Sequence, residues 1–362
     1  MSIQAILLHD IDHGGQLGQS DFVVQQLVKF IQAAQRSLHL AIYDFRLNPQ
    51  GRYYAPLITV LRERAQSGVD IKIAYDHGKP QDFRVGADPA PTGTQLFLQQ
   101  AFQGTSVQLR GITDRNPLHP EPRLMHSKYI VRDEAAVWTG SVNLTDDSWT
   151  FEENNVAEVN SASLASYYET DFRELWISGD IDSTGLNDAG TVTVEQETAI
   201  DVAFSPGEGT TIDTCAANLV TSAKRRIKLA SMVISSHQVL RALLNALHNN
   251  QVAELGGIYD STQMEETIQN WRRLPQNAMY IPMFLELANH FSHKASIPYS
   301  PDSRHNFMHN KVLVCDDSVF TGSFNLSHSA TQNAENALII HDAQIADRYA
   351  AYIDQLITTY RT

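Results

Sequence analysis

The chain has 362 residues, 43% of them hydrophobic, and a formal net charge of −14. That length suits one large domain or two ordinary ones, and that hydrophobic content suits a globular core. The acidic balance argues against a broad polyanion-binding surface, the two cysteines (Cys215 and Cys315) against a disulfide framework, and the lack of an apolar run near ~20 residues against a membrane helix.

The opening MSIQAILLHDIDHGG has no Lys or Arg before its short apolar run and does not read as a signal peptide. With the cysteine count, it gives the expectation of a cytoplasmic protein. His9, Asp10, Asp12 and His13 precede Gly14-Gly15 and read as a turn rather than a metal site. Val23, Leu27, Phe30 and Ala34 recur at helical spacing, and AQRSLHLAIYDF (34–45) reads as that helix's end running into a strand. IKIAYD (71–76) reads as a second strand, and the Pro- and Gly-containing stretch 77–94 as a rim loop. TDRNPLHPEPR (113–123) is kept out of a sheet by its prolines and leads into MHSKYIVRDEAAVWTGSVNL (125–144). A helix follows near 162–176. SGDIDSTGLNDAG (178–190) has no hydrophobic period and reads as the join.

The second half repeats the first. After short strand candidates at 191–194 and 199–204, Ile212, Cys215, Leu219 and Ala223 follow helical spacing. AKRRIKLASMVI (223–234) then matches 34–45, and LGGIYD (255–260) matches 71–76. Met283, Leu287 and Phe291 read as one buried helix face, and Arg272-Arg273 as solvated helix charges. SIPYSPDSRHN (296–306) leads into MHNKVLVCDDSVFTGSFNL (308–326), and a helix near 342–358 closes the chain. Strands alternating with helices predict an α/β protein. The expected domains are 1–178 and 191–362, joined by a linker at 179–190.

Both late stretches read as β-hairpins: apolar run, polar turn, apolar run. Residues two apart on a strand share a face, so His126 goes with Lys128, and His309 with Lys311. A four-residue loop at 133–136 and a three-residue loop at 316–318 would set Lys128 opposite Ser141 and Lys311 opposite Ser323. His126 would then face Asn143, and His309 would face Asn325. Trp138 and Phe320 fall at equivalent core positions, and Asp133 and Asp316 read as turn residues bonding local backbone N–H groups. Two copies of one polar set ask for a joint site at which the hairpins meet. Lys, Asn and Ser donate hydrogen bonds, which suits a phosphate. Fixed donors stabilise the equatorial charge of a phosphorane, and opposed imidazoles can serve as nucleophile and acid. Arg123, Arg304, His119 and His305 are further candidate substrate contacts. Tyr43-Asp44, Tyr75-Asp76 and Tyr259-Asp260 close likely strands, where ligands gather or caps form.

The pattern H-x-K-x(4)-D followed by G-S-x-N, complete in both halves, resembles the phospholipase D superfamily. The resemblance implies two similar α/β/α sandwich domains with mixed sheets, related by a pseudo-two-fold axis, with the active site between them. It implies a metal-independent phosphodiesterase that needs no cofactor and acts through a phosphohistidine, with His126 as nucleophile and His309 as acid and then base. Glu335 in NAENA matches a family Glu that orients a catalytic His, and Glu153 in EENNV aligns with it. One chain suffices to build the site. The ending TGSFNLSHSATQNAEN resembles small bacterial endonucleases of the superfamily, which favours nucleic acid as substrate. Phospholipid, cleaved by a phospholipase or transphosphatidylase, is the alternative, and a non-catalytic interaction module a third reading.

Overall fold

Two mixed sheets frame the molecule, a computed structural model that describes residues 2–78, 93–116, 123–186, 188–194, 198–300 and 303–361. The first sheet runs Ser2–Leu8, Asn154–Asn160, Ala136–Gly140, Lys128–Arg132, Ser37–Ile42, Asp70–Gly78, Gln108–Thr113. The second runs Gly190–Val194, Thr198–Ser205, Glu335–His341, Ser318–Gly322, Lys311–Cys315, Arg226–Ser231, Glu254–Asp260, Ser292–Lys294. From Thr198–Ser205 onward, every strand of the second sheet has a counterpart in the first, in the same order. In both, the strands nearest the last-named edge are parallel and the rest antiparallel.

Helices cover both faces of each sheet. Leu17–Gln32 and Tyr54–Gln66 pack their Leu27 and Leu57 with Leu40 and Ile73 outside the first sheet. Gly209–Ser222 and His237–His248 do the same outside the second, through Ile212 and Leu243 against Leu229 and Leu313. Ala162–Ser178 and Ala343–Thr359 lie between the sheets. Their Leu175 and Leu356 share one buried cluster with Tyr129 and Val131 of the first sheet and with Val312 and Val314 of the second. Strands buried on both faces explain the unbroken apolar runs at 129–131 and 312–315, which have no polar alternation. Ser161 and Asp342 start the two central helices alike, accepting hydrogen bonds from Leu164 N (3.3 Å) and Ile345 N (2.9 Å).

The hairpins are one residue tighter than the sequence suggests. Arg132 faces Ala136, and Cys315 faces Ser318. The loops are therefore residues 133–135 and 316–317. Asp133, Glu134 and Asp316 take φ of 55°, 53° and 51°, and this left-handed backbone closes the turn in fewer residues. Continuing that register sets Lys128 level with Gly140 and Lys311 level with Gly322, rather than with Ser141 and Ser323. Asp133 and Asp316 bond backbone N–H groups, but those of distant residues. Asp133 accepts from Gln35, Arg36 and Ser37, and Asp316 from Lys224, Arg225 and Arg226, so each turn is tied to the entry of a neighbouring strand. Burial opposes ionisation of both carboxyls, yet these bonds hold them below the usual range.

Between Ser178 and Gly190 the chain forms a short 3-10 turn, Ile181–Ser183, and buries Thr184 and Asp188. Residues 10–15 form the expected turn, with Asp10 accepting from Asp12 N at 2.8 Å and Gly14 at φ 99°. No helix among the described residues is long and apolar enough to cross a membrane.

Candidate active site

The two hairpins meet at their His-bearing ends through backbone bonds between the halves. His126 N donates to Ala334 O (2.8 Å) and Ala334 N to Leu124 O (2.9 Å). Symmetrically, His309 N donates to Glu153 O (3.0 Å) and Glu153 N to Phe307 O (3.0 Å). Asp76 and Asp260, at the ends of equivalent strands, accept from Met125 N (2.7 Å) and Met308 N (3.0 Å) and fix each approach to its histidine. Asp260 also caps the helix Ser261–Arg273.

Each imidazole is held from the opposite half. His126 Nδ1 lies 2.7 Å from Glu335 Oε2, and His309 Nδ1 lies 3.1 Å from Asn154 Oδ1. Both rings are therefore steered through Nδ1, which leaves Nε2 for chemistry. Glu152 stands behind, with Oε2 3.4 Å from His309 Nδ1 and accepting from Asn154 Nδ2 at 2.9 Å. In the other half Asn333 Nδ2 donates to Glu335 Oε1 at 3.2 Å. The two halves thus carry the same carboxylate and carboxamide in exchanged positions.

This exchange corrects the alignment of Glu153 with Glu335. Gly322 faces Ala337, whereas Gly140 faces Val156, so the first half has one more residue between glycine and partner strand. The counterpart of Glu335 is Asn154. The Glu153 side chain turns away from both imidazoles, to Tyr360 Oη at 2.7 Å and Asp10 N at 3.2 Å. Burial pushes its carboxyl up to about 7, with Lys294 opposing.

Lys128 and Lys311 are buried, and each Nζ donates to the carbonyl of the histidine two residues before it, at 2.7 and 2.6 Å. Ser141 and Ser323 are fully buried and work one step back. Ser141 Oγ donates to Asn154 Oδ1 (2.6 Å) and accepts from Asn155 N (3.0 Å), while Ser323 Oγ accepts from Asn336 N (3.0 Å). The glycine before each serine is a steric necessity. A Cβ on Gly140 would sit 2.2 Å from Asn155 O, and one on Gly322 2.3 Å from Asn336 O, at φ 154° and 137°. Asn143 and Asn325 each bury a side-chain oxygen without a hydrogen-bond partner. The two amides thus stand at equivalent motif positions with hydrogen-bonding capacity that the protein does not use.

Electrostatics point the same way. Burial pushes the His126 imidazolium down to about 4, with Glu335 opposing and Lys128 adding to the fall. His309 is held well below its ordinary range by burial, then by Lys311, Lys128 and His126. Burial brings Lys311 down to about 8 and Lys128 well below its ordinary value. Four groups that would each carry positive charge crowd one dry cleft. An anion there relieves the strain and lets both lysines and one of the two imidazoles keep a proton.

The other candidates separate. His305 is half-buried beside the site. Arg304 lies over the Phe151 ring (4.3 Å) and pairs with Asp12 at 3.2 Å. Arg123 is engaged elsewhere: its guanidinium binds Asp114 at 2.7 Å and also Asp182. It ties a strand end to the join between halves. His119 lies outside the described residues. Sequence reasoning missed Asn154, Glu152 and Asn333, and it left open the part played by Tyr43, whose ring is edge-on to His126 at 4.9 Å and under Lys128 Nζ at 5.0 Å. Aligning the strands after each G-S-x-N, rather than counting residues, would have found Asn154.

Residues 27–176 and 217–357 match the family described as "Cardiolipin synthase, PLD-like domain". A "Phospholipase D" of Rickettsia bellii (strain RML369-C) is 42% identical over 62 residues, which are 17% of this chain and 31% of that protein. One of Rickettsia conorii (strain ATCC VR-613 / Malish 7) is 26% identical over 152 residues, 41% of this chain and 65% of that protein. The chain thus spans between about a third and two thirds of the curated relatives it matches. The phosphatidylserine synthase of Haemophilus influenzae Rd KW20 shares the fold, with a TM-score of 0.67 over 98% of this chain and 85% of its own, at 12% identity. With the family match covering both halves and both motifs complete, the chain belongs to the phospholipase D superfamily, a superfamily of enzymes that act on phosphodiesters.

Proposed function

We propose that this protein is a metal-independent phosphodiesterase acting through a phosphohistidine, and that its substrate is nucleic acid. The observation that supports the chemistry is the crossed fixation of the imidazoles: each Nδ1 is bonded by the opposite half, which leaves Nε2 of each ring for a phosphoryl group. His126 is the nucleophile, because the carboxylate of Glu335 sits directly on its Nδ1 and makes Nε2 the more basic of the pair. Nε2 of His126 attacks phosphorus in line. The N–P bond forms as the leaving oxygen departs with a proton from His309. His309, now neutral, takes a proton from water, whose oxygen attacks phosphorus and releases His126. Lys128 and Lys311 supply fixed positive charge to the equatorial oxygens, the task a metal ion performs elsewhere. One chain contains both histidines and suffices for the site.

A second reading, phospholipid as substrate, is favoured by the similarity to the phospholipases D of Rickettsia and by the exposed apolar side chains Leu274, Met279 and Leu285. The purified protein in EDTA should hydrolyse a generic phosphodiester, with His126→Ala and His309→Ala each inactive. Trials on single-stranded DNA, duplex DNA, RNA and phosphatidylcholine vesicles then choose the substrate. Loss of turnover in EDTA overturns the metal-free chemistry, and turnover kept by both variants overturns the site.

A further inference from the structure

Three rings that the proposed chemistry does not use, Phe307, His305 and Tyr299, continue outward from His309. His309, Phe307, His305 and Tyr299 follow one another with centroids 6.4, 5.3 and 5.1 Å apart and interplanar angles of 40°, 30° and 35°. The inner rung is the acid-base histidine. The outer rung, Tyr299, is 46% exposed. The loop carrying them is tied down, with His305 N donating to Asp147 Oδ2 and Ile297 N to Asn306 Oδ1, both at 2.8 Å. Tyr299 also stands near Tyr43 and Arg46 of the first half. The ladder therefore climbs from one histidine to the cleft mouth and ends near the aromatic ring that flanks the other.

We propose that the outer rungs, Tyr299 and His305, form a stacking platform for the nucleobase next to the scissile phosphate, so that the substrate is single-stranded nucleic acid. This rests on the nuclease reading above and names its substrate class. Two facts motivate it together. Rings that turn by only 30–40° from one to the next present flat faces in series, which suits a planar ligand better than an acyl chain. A chain of net charge −14 cannot gather a polyanion by broad counterion release. Base–aromatic stacking, about 1–3 kcal/mol per base, is independent of net charge, and it needs bases already out of a duplex.

The test compares two diesters with the same leaving group: the p-nitrophenyl ester of thymidine 5′-phosphate, which carries a base, and methyl p-nitrophenyl phosphate, which does not. Tyr299→Ala should lower kcat/KM on the base-bearing ester by roughly 5- to 100-fold, chiefly through KM, and change the base-free ester by less than about twofold. Tyr299→Phe should keep the wild-type ratio. Equal effects on both esters, no effect on either, or no turnover of the base-bearing ester overturn the platform. If Tyr299→Ala is neutral while the wild type still cuts single-stranded DNA, the platform alone fails. If the wild type shows no preference for the base-bearing ester and cleaves phosphatidylcholine but not DNA, the nuclease reading itself fails.

Discussion

At the scale of single residues, the pseudo-symmetry of the site is broken at the groups that hold the two Nδ1 atoms. Glu335 meets His126 directly, whereas Glu152 reaches His309 alongside an intervening amide, Asn154. A carboxylate on Nδ1 fixes the tautomer and steadies the positive charge that a phosphorylated imidazole carries, while an amide oxygen fixes only the tautomer. Equivalent substitutions should therefore have unequal effects. Glu335→Gln should slow formation of the phosphoenzyme by on the order of 10²-fold or more. Glu152→Gln, acting from behind Asn154, should cost roughly tenfold and leave phosphoenzyme formation the faster step. Rapid-quench measurement of the acid-labile phosphoenzyme reads both. Equal losses would falsify the division of labour between the histidines.

At the scale of elements, the two hairpins are held at their turns by aspartates that reach across to neighbouring strands. Removing Asp316 leaves the N–H groups of Lys224, Arg225 and Arg226 without their acceptor, and removing Asp133 does the same to Gln35, Arg36 and Ser37. Each Asp→Ala should cost roughly 1–3 kcal/mol in denaturant unfolding at pH 7, by similar amounts in the two halves. Because both carboxyls are held below their usual range, that stabilisation is present above the unfolded value and disappears as pH falls through the lowered one. A cost unchanged at pH 2 would show that the carboxylate is not responsible. The hairpins themselves were legible because apolar runs flank polar turns and the motif residues recur in step. Their register was not, because an aspartate that adopts positive φ shortens a turn without any change in composition. The strand Ser2–Leu8 was also hidden. It reads as a short apolar run, and its partner, Asn154–Asn160, lies some 150 residues away in sequence. The same distance hides Asn154 as the partner of His309, since local counting points to Glu153.

At the scale of the molecule, the halves are less separate than a linker suggests. Their central helices share one apolar cluster, and the joining segment contributes Thr184 and Asp188 to the buried surface between them. Thr184 donates to Asp171, which also accepts from Tyr129 Oη at 2.5 Å, so the join is bonded to the strand that carries Lys128. Asp188 is 1% exposed, and its carboxyl oxygens have no hydrogen-bond partner among the described residues. Burial, then Asp171, Glu174 and Glu208, push its carboxyl up to about 8, and burial pushes Asp171 up to about 7. An unfolded chain releases these protons near pH 4. The folded chain therefore binds more protons between about pH 4 and 8, and its stability falls as pH rises through that window and levels off above it. Asp188→Asn removes the charge that must be neutralised and relieves Asp171 of a neighbour, so both effects run in one direction. The variant should melt at a higher temperature than the wild type at pH 8.5, and the difference should shrink steadily as pH is lowered towards 4. Calorimetry across that range measures it. A difference that does not vary with pH would mean that Asp188 is ionised in the folded chain and that the join between the halves is open to water.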